Sequence, residues 1–172
     1  VDIVLTYTKP IGQGTLRADM AGTFVQTNIL GEPHTSAQLA GLEHIYFDAT
    51  SRTLLESAVP RFKGNLSVNY TYNRFNVLLR NVYFGPVNEA TNLTDYAQSY
   101  GSKVVTDLAV GYAITNNLRC ALGANNLFDV YPDQVRAGSP LRTNDIFLYS
   151  RTAQQFGYTG RHLFTRLTLS LK

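Results

Sequence analysis

Five charged side chains stand in one polar stretch of this 172-residue chain: Asp133, Arg136, Arg142, Asp145 and Arg151. Carboxylates and guanidinium groups on an exposed loop can ion-pair with a polar ligand, although mixed charge is also what any solvated loop carries. Imidazole chemistry is limited to His34, His44 and His162. A metal or haem would need a further ligand at a workable spacing from His34 and His44, and none stands there. Cys120 is the single cysteine, so an internal disulfide and a thiolate cluster are both excluded. It reads as a small apolar strand residue. The chain has no Gly-Xaa-Ser-Xaa-Gly elbow, phosphate loop or zinc helix motif, and nothing places its Ser, His and Asp residues together. The expectation is a binding protein with no metal or cofactor, not an enzyme.

The elements that must position these residues read as all-β. Alternating segments run over residues 1–9, 15–29, 61–73, 76–87, 103–115, 118–128 and 161–172. Several are longer than the ~5 to 6 residues of an average strand and match the ~9 to 11 that cross a bilayer at a tilt. From Val104 to Ile114 the even positions are mostly apolar and the odd ones small or polar. Leu118, Cys120, Leu122 and Ala124, then Leu163, Leu167, Leu169 and Leu171, and likewise Leu66, Val68, Tyr70 and Tyr72, alternate with polar or small neighbours. This period fits apolar-out barrel strands and equally an antiparallel sheet with one buried face. Residues 76–87 do not assign to faces.

The connections alternate in length. Short ones lie at residues 11–14, 73–75 and 115–117, where Gly and Asn suit tight turns; long ones span 30–60, 88–102 and 129–160. Membrane barrels show that asymmetry, with short turns at one end and long loops at the other. Tyr7, Phe24, Tyr83, Phe84, Phe128, Tyr131 and Phe164 fall near strand ends, where an aromatic girdle or an ordinary β-core would place them. Charged residues are 16% of the chain, against roughly 25% in a typical soluble domain. Net charge is +3, and Lys and Arg are spread along the chain instead of forming a stripe, which argues against nucleic acid as the partner.

Asn125-Asn126-Leu127-Phe128-Asp129 closes one alternating strand and opens the last long loop. Asn and Asp bond nearby backbone and tolerate left-handed conformations, so the stretch reads as a structural strand ending, with ligand contact as the other use. Gly160-Arg161 reads similarly: glycine permits the turn and the arginine can pair with a carboxylate of the loop or lumen.

Three stretches resemble TonB-dependent outer-membrane receptors. Glu56-Ser57-Ala58-Val59-Pro60-Arg61-Phe62-Lys63 leads into Leu66-Ser67-Val68-Asn69-Tyr70; Leu79 to Val87 resembles the following strand with its aromatic-Gly step. Thr106-Asp107-Leu108, Asn125 to Asp129, Tyr131-Pro132, Gln155-Phe156-Gly157 and Gly160-Arg161 together are similar to the receptors' C-terminal signature. The resemblance implies that residues 1–172 are about seven strands of a barrel of about 22, without its plug domain. It implies a place in the bacterial outer membrane. The implied partners are membrane lipid, the rest of the receptor and, through the missing N-terminal part, the TonB complex. The implied ligand is an iron chelate, haem, cobalamin or a glycan. One departure is Ser170-Leu171-Lys172, which lacks the usual terminal aromatic. The alternative is a self-contained small β-barrel acting as pore, adhesin or soluble ligand-binding protein, in which no strand edge would be left unpaired.

Overall fold

The computed structural model describes residues 1–31, 36–42, 45, 47–91, 96–142 and 145–171. Its frame is one antiparallel sheet of seven strands: β1 (Asp2–Ile11), β2 (Gly14–Phe24), β3 (Phe62–Tyr72), β4 (Phe75–Phe84), β7 (Lys103–Ala113), β8 (Leu118–Asn125) and β9 (His162–Leu169). Each strand pairs with its predecessor in the sheet, so the order is a simple meander. The sheet is not closed. β1 and β9 each have a neighbour on one side only, which removes the self-contained barrel as a description of these residues.

Short turns at one end tie the meander together. Gly12, at φ 61°, and Asn73, at φ 52°, take left-handed conformations in the first two, as tight reversals require. The third works differently: the Thr115 hydroxyl accepts the N–H groups of Asn117 and Leu118, so no left-handed asparagine is needed. At the other end the connections are long and structured. The first contains α1 (Ala49–Glu56), whose Asp48 N-cap accepts from the Ser51 N–H at 2.6 Å. The second is a hairpin of β5 (Val87–Thr91) and β6 (Tyr96–Tyr100), a separate two-stranded sheet where the sequence reads as loop. Helix α1 likewise lies within a stretch that the pattern leaves structureless.

Cross-strand register settles the faces. Leu5, Met20, Leu66, Asn81 and Thr106 are successive partners, as are Val77, Val110 and Leu122 farther along, so one face joins the apolar alternates of all seven strands. In β4 it is Phe75, Val77, Leu79, Asn81 and Tyr83 that share this face, which assigns the strand that alternation left undecided. Aromatic rings border the face at both ends. Tyr70, Tyr72, Phe75 and Tyr112 lie beside the short turns, and Phe24, Phe62 and Tyr83 beside the long loops. Phe84 and Phe164 instead alternate onto the polar face, and Phe128 and Tyr131 fall beyond β8.

The apolar face is left uncovered: Leu122, Leu163 and Leu167 are 63%, 79% and 67% exposed. The buried core lies elsewhere, among the long loops, where Ala58, Val87, Tyr100, Val135 and Ala153 pack together with Leu141 against them. A sheet of long strands with a bare apolar face and a small core confined to one end is not built to stand alone in water.

Candidate functional site

The last long loop, residues 126–161, is anchored at its base by the stretch that closes β8. Asn126, at φ 52°, folds its amide back so that Oδ1 accepts the Val130 N–H at 2.9 Å and Nδ2 donates to the Val130 carbonyl at 2.8 Å. Its backbone N–H donates to Asp107 Oδ1 at 2.8 Å, and the Leu127 N–H donates to the Thr106 carbonyl at 2.7 Å. Asp129, also left-handed at φ 57°, accepts the Arg161 N–H at 2.8 Å, while the Arg161 guanidinium reaches the Leu127 carbonyl. The carboxylate thus holds the arginine's backbone, not its side chain. Gly160, at φ 73°, sits against Tyr131 and Asp129 where a Cβ would meet the Tyr131 hydroxyl. Asn125 and His162 are register partners on the polar face, and the Phe128 ring is 69% exposed.

The five charged loop residues find different neighbours. Asp133 Oδ1 accepts from Lys103 Nζ, and Oδ2 accepts the Gly101 N–H, each at 2.6 Å. Partial burial works to raise its carboxyl, but the Lys103 ammonium and the Gly101 N–H overcome this and hold it below the ordinary carboxylate value. Arg142 pairs with Asp145 at 3.1 Å. The Arg151 guanidinium lies over the Phe147 ring, 4.6 Å from its centre. The Arg136 side chain is exposed, and its backbone N–H donates to Gln98 Oε1. His34 and His44 lie outside the described residues, and no group of three or more His, Cys, Asp or Glu is placed to hold a metal among those described.

Three polar residues organise the loops: Glu89 and Gln98, which the sequence pattern does not single out, and Gln155 of the Gln155-Phe156-Gly157 stretch. Buried Glu89 accepts from the Tyr100 hydroxyl at 2.6 Å and from the Thr152 hydroxyl, joining the β5–β6 hairpin to the last loop. Burial, with the Glu89 carboxylate beside it, pushes the Tyr100 phenol well above its usual value. Gln98 donates to the Gln134 carbonyl at 2.9 Å, and Gln155 donates to the carbonyls of Gly85 and Gly101, which lie at the two joints between hairpin and sheet. The available signal was the alternation of Val87, Glu89 and Thr91 against Tyr96, Gln98 and Tyr100, whose inward positions carry polar groups. A stack of tyrosines also emerges only in three dimensions: Tyr149 lies between Tyr131, at 6.3 Å, and Tyr158, at 5.4 Å.

The polar face of the large sheet carries its own ion pairs. Arg17 binds Asp19 at 2.8 Å, and Asp19 also accepts from the Thr6 hydroxyl. Arg80 donates to Asp107 from Nε at 2.8 Å, so that this carboxylate serves both an arginine and the Asn126 N–H. Beside these lie two open recesses of about 450 and about 280 Å³. The larger is nearer the short turns. The smaller contains Arg80, Asp107, Asn125 and Phe164.

An open antiparallel meander with one apolar and one polar face, and every long connection at the same end, has the strand arrangement found in a barrel wall. Its fold is similar to part of the ferric enterobactin receptor. That structure, a point mutant from Pseudomonas aeruginosa, matches 96% of this chain with a TM-score of 0.53 at 15% identity. The chain spans 21% of the length of the receptor it matches. No family model matches the chain, and no curated protein does.

Proposed function

We propose that residues 1–172 form part of the barrel wall of a TonB-dependent outer-membrane receptor, which binds a scarce ligand at the cell surface and imports it. The observation that carries the reading is the seven-strand register, which joins a single apolar face across the sheet and gathers all long connections at one end. Lipid covers the apolar face, the polar face lines the lumen, and the loop end faces outside. The likeness to a receptor barrel and the resemblance in the Asn125–Asp129 and Gly160-Arg161 stretches support it. The rest of the receptor supplies the plug, the remaining strands and the contact with TonB.

Ligand contact belongs to the outer loops. Arg136, Asp145 and Arg151 are exposed in the same loop that carries the tyrosine stack, and suit an anionic or aromatic ligand such as an iron chelate. Asp133 and Arg142, the other two candidates, fix the loop through Lys103 and Asp145. The test is to produce the full polypeptide containing these residues in a Gram-negative host. The reading expects it in the outer-membrane fraction and expects its deletion to abolish uptake of one labelled iron chelate, haem, cobalamin or glycan. Recovery as a soluble periplasmic protein, or uptake of all four classes unchanged, would sink it.

A further inference from the structure

Arginines on the polar face of β2 and β4 have carboxylates of their own, Arg17 with Asp19 and Arg80 with Asp107. Arg119 of β8 and Arg166 of β9 break the pattern. Among the described residues neither guanidinium has a hydrogen bond or ion pair, and Arg166 has only the Phe164 ring, 5.7 Å from its carbon. The two are diagonal cross-strand neighbours, because Arg119 pairs with Thr168, two residues from Arg166. Like charges at such positions, with Cα atoms roughly 7–8 Å apart, repel unless an anion lies between them.

Both arginines border the recess of about 450 Å³, which no Asp or Glu lines. Gly111, Ala113 and Ala121 give part of it a small-residue floor, Asn76 and Thr168 add hydrogen-bonding groups, and the third arginine that lines it, Arg74, donates to the Ile114 carbonyl. Neither Asp19 nor Asp107 is free to neutralise the pair, since each already serves an arginine and a second donor. We propose that Arg119 and Arg166 clamp a carboxylate side chain of an acidic polypeptide segment lying against the short-turn half of the polar face. Charge complementarity selects the occupant: two forked guanidinium groups match a carboxylate bidentately, and the small-residue floor admits a main chain. The inference rests on the proposed receptor, and the segment is part of that receptor outside residues 1–172.

The test places photo-reactive benzoylphenylalanine at Thr168 in the full receptor polypeptide, with both arginines intact, and maps the cross-linked peptides in isolated outer membranes. The expected product joins Thr168 to a peptide outside residues 1–172 that contains Asp or Glu. Its yield falls about tenfold in the doubly reversed R119E/R166E protein and falls by less in R119K/R166K, which keeps the charge but loses the fork. Heat-dependent gel mobility confirms that each variant is folded. No cross-link, cross-links confined to residues 1–172 or to lipid, or a yield indifferent to charge reversal overturns the clamp. Fractionation of the same cells reads the receptor proposal separately, since a protein absent from the outer membrane fails there first.

Discussion

At Asn126 a single side chain does three jobs: it accepts a left-handed backbone, ends β8, and closes a ring of hydrogen bonds with Val130. Alanine there strains the backbone and leaves the partly buried Val130 N–H and carbonyl without their partner, whereas glycine loses the bonds but keeps the conformation. Asn126→Ala should therefore destabilise the folded protein by about 1–3 kcal/mol and Asn126→Gly by less, measured by thermal unfolding in detergent. Asp133 makes a prediction with a sign. Its folded-state carboxyl lies below the ordinary value, so the stabilisation it gives is complete above about pH 4 and is lost as pH falls through the folded value. Hydrogen exchange at the Gly101 amide should accelerate, beyond its intrinsic pH dependence, on passing from pH 6 to pH 3, and Asp133→Asn should remove that extra change. Neither arrangement is complete in the sequence. Left-handed tolerance belongs to asparagine as a residue type and could be read at position 126, but the Asp133–Lys103 pair spans thirty residues and depends on which strand ends meet.

Among the elements, strand existence was legible from alternation and strand ends were not. The pattern Val25-Gln26-Thr27-Asn28-Ile29 keeps alternating, yet β2 ends at Phe24 because its partner β3 begins at Phe62, and pairing decides where a strand stops. At the start of the sheet the reverse happens: Pro10 lies in β1 opposite Thr15, on an edge strand where its missing N–H removes no necessary bond. The β5–β6 hairpin escaped notice because Asn88, Glu89 and Gln98 are poor strand formers, held in place by the loop core and not by propensity. The close fit of β7, β8 and β9 gives a test at this scale. A Cβ on Gly123 would fall 2.4 Å from the Phe164 ring and 2.8 Å from the Leu108 carbonyl. Gly123→Ala should cost about 1–3 kcal/mol in detergent unfolding, and adding Phe164→Ala should recover only part of it, because the carbonyl remains. Full recovery would mean that the ring alone sets the fit.

For the whole molecule, the register makes a claim that alternation could not, since β4 carries the adjacent leucines Leu78 and Leu79 on opposite faces. In the proposed receptor, Leu79→Arg places a charge in lipid and should destabilise the inserted barrel by about 2–4 kcal/mol, while Leu78→Arg faces the lumen and should cost little. Unfolding in lipid vesicles distinguishes them, and equal effects would mean that the faces are wrongly assigned. The open edges have a further consequence. A meander of seven strands begins and ends with strands running the same way, so joining β1 to β9 would make a parallel seam. A second copy inserted in the same orientation meets the same obstacle at each junction. Any wholly antiparallel barrel that contains this sheet must complete it with an odd number of strands, and parity alone sets that requirement.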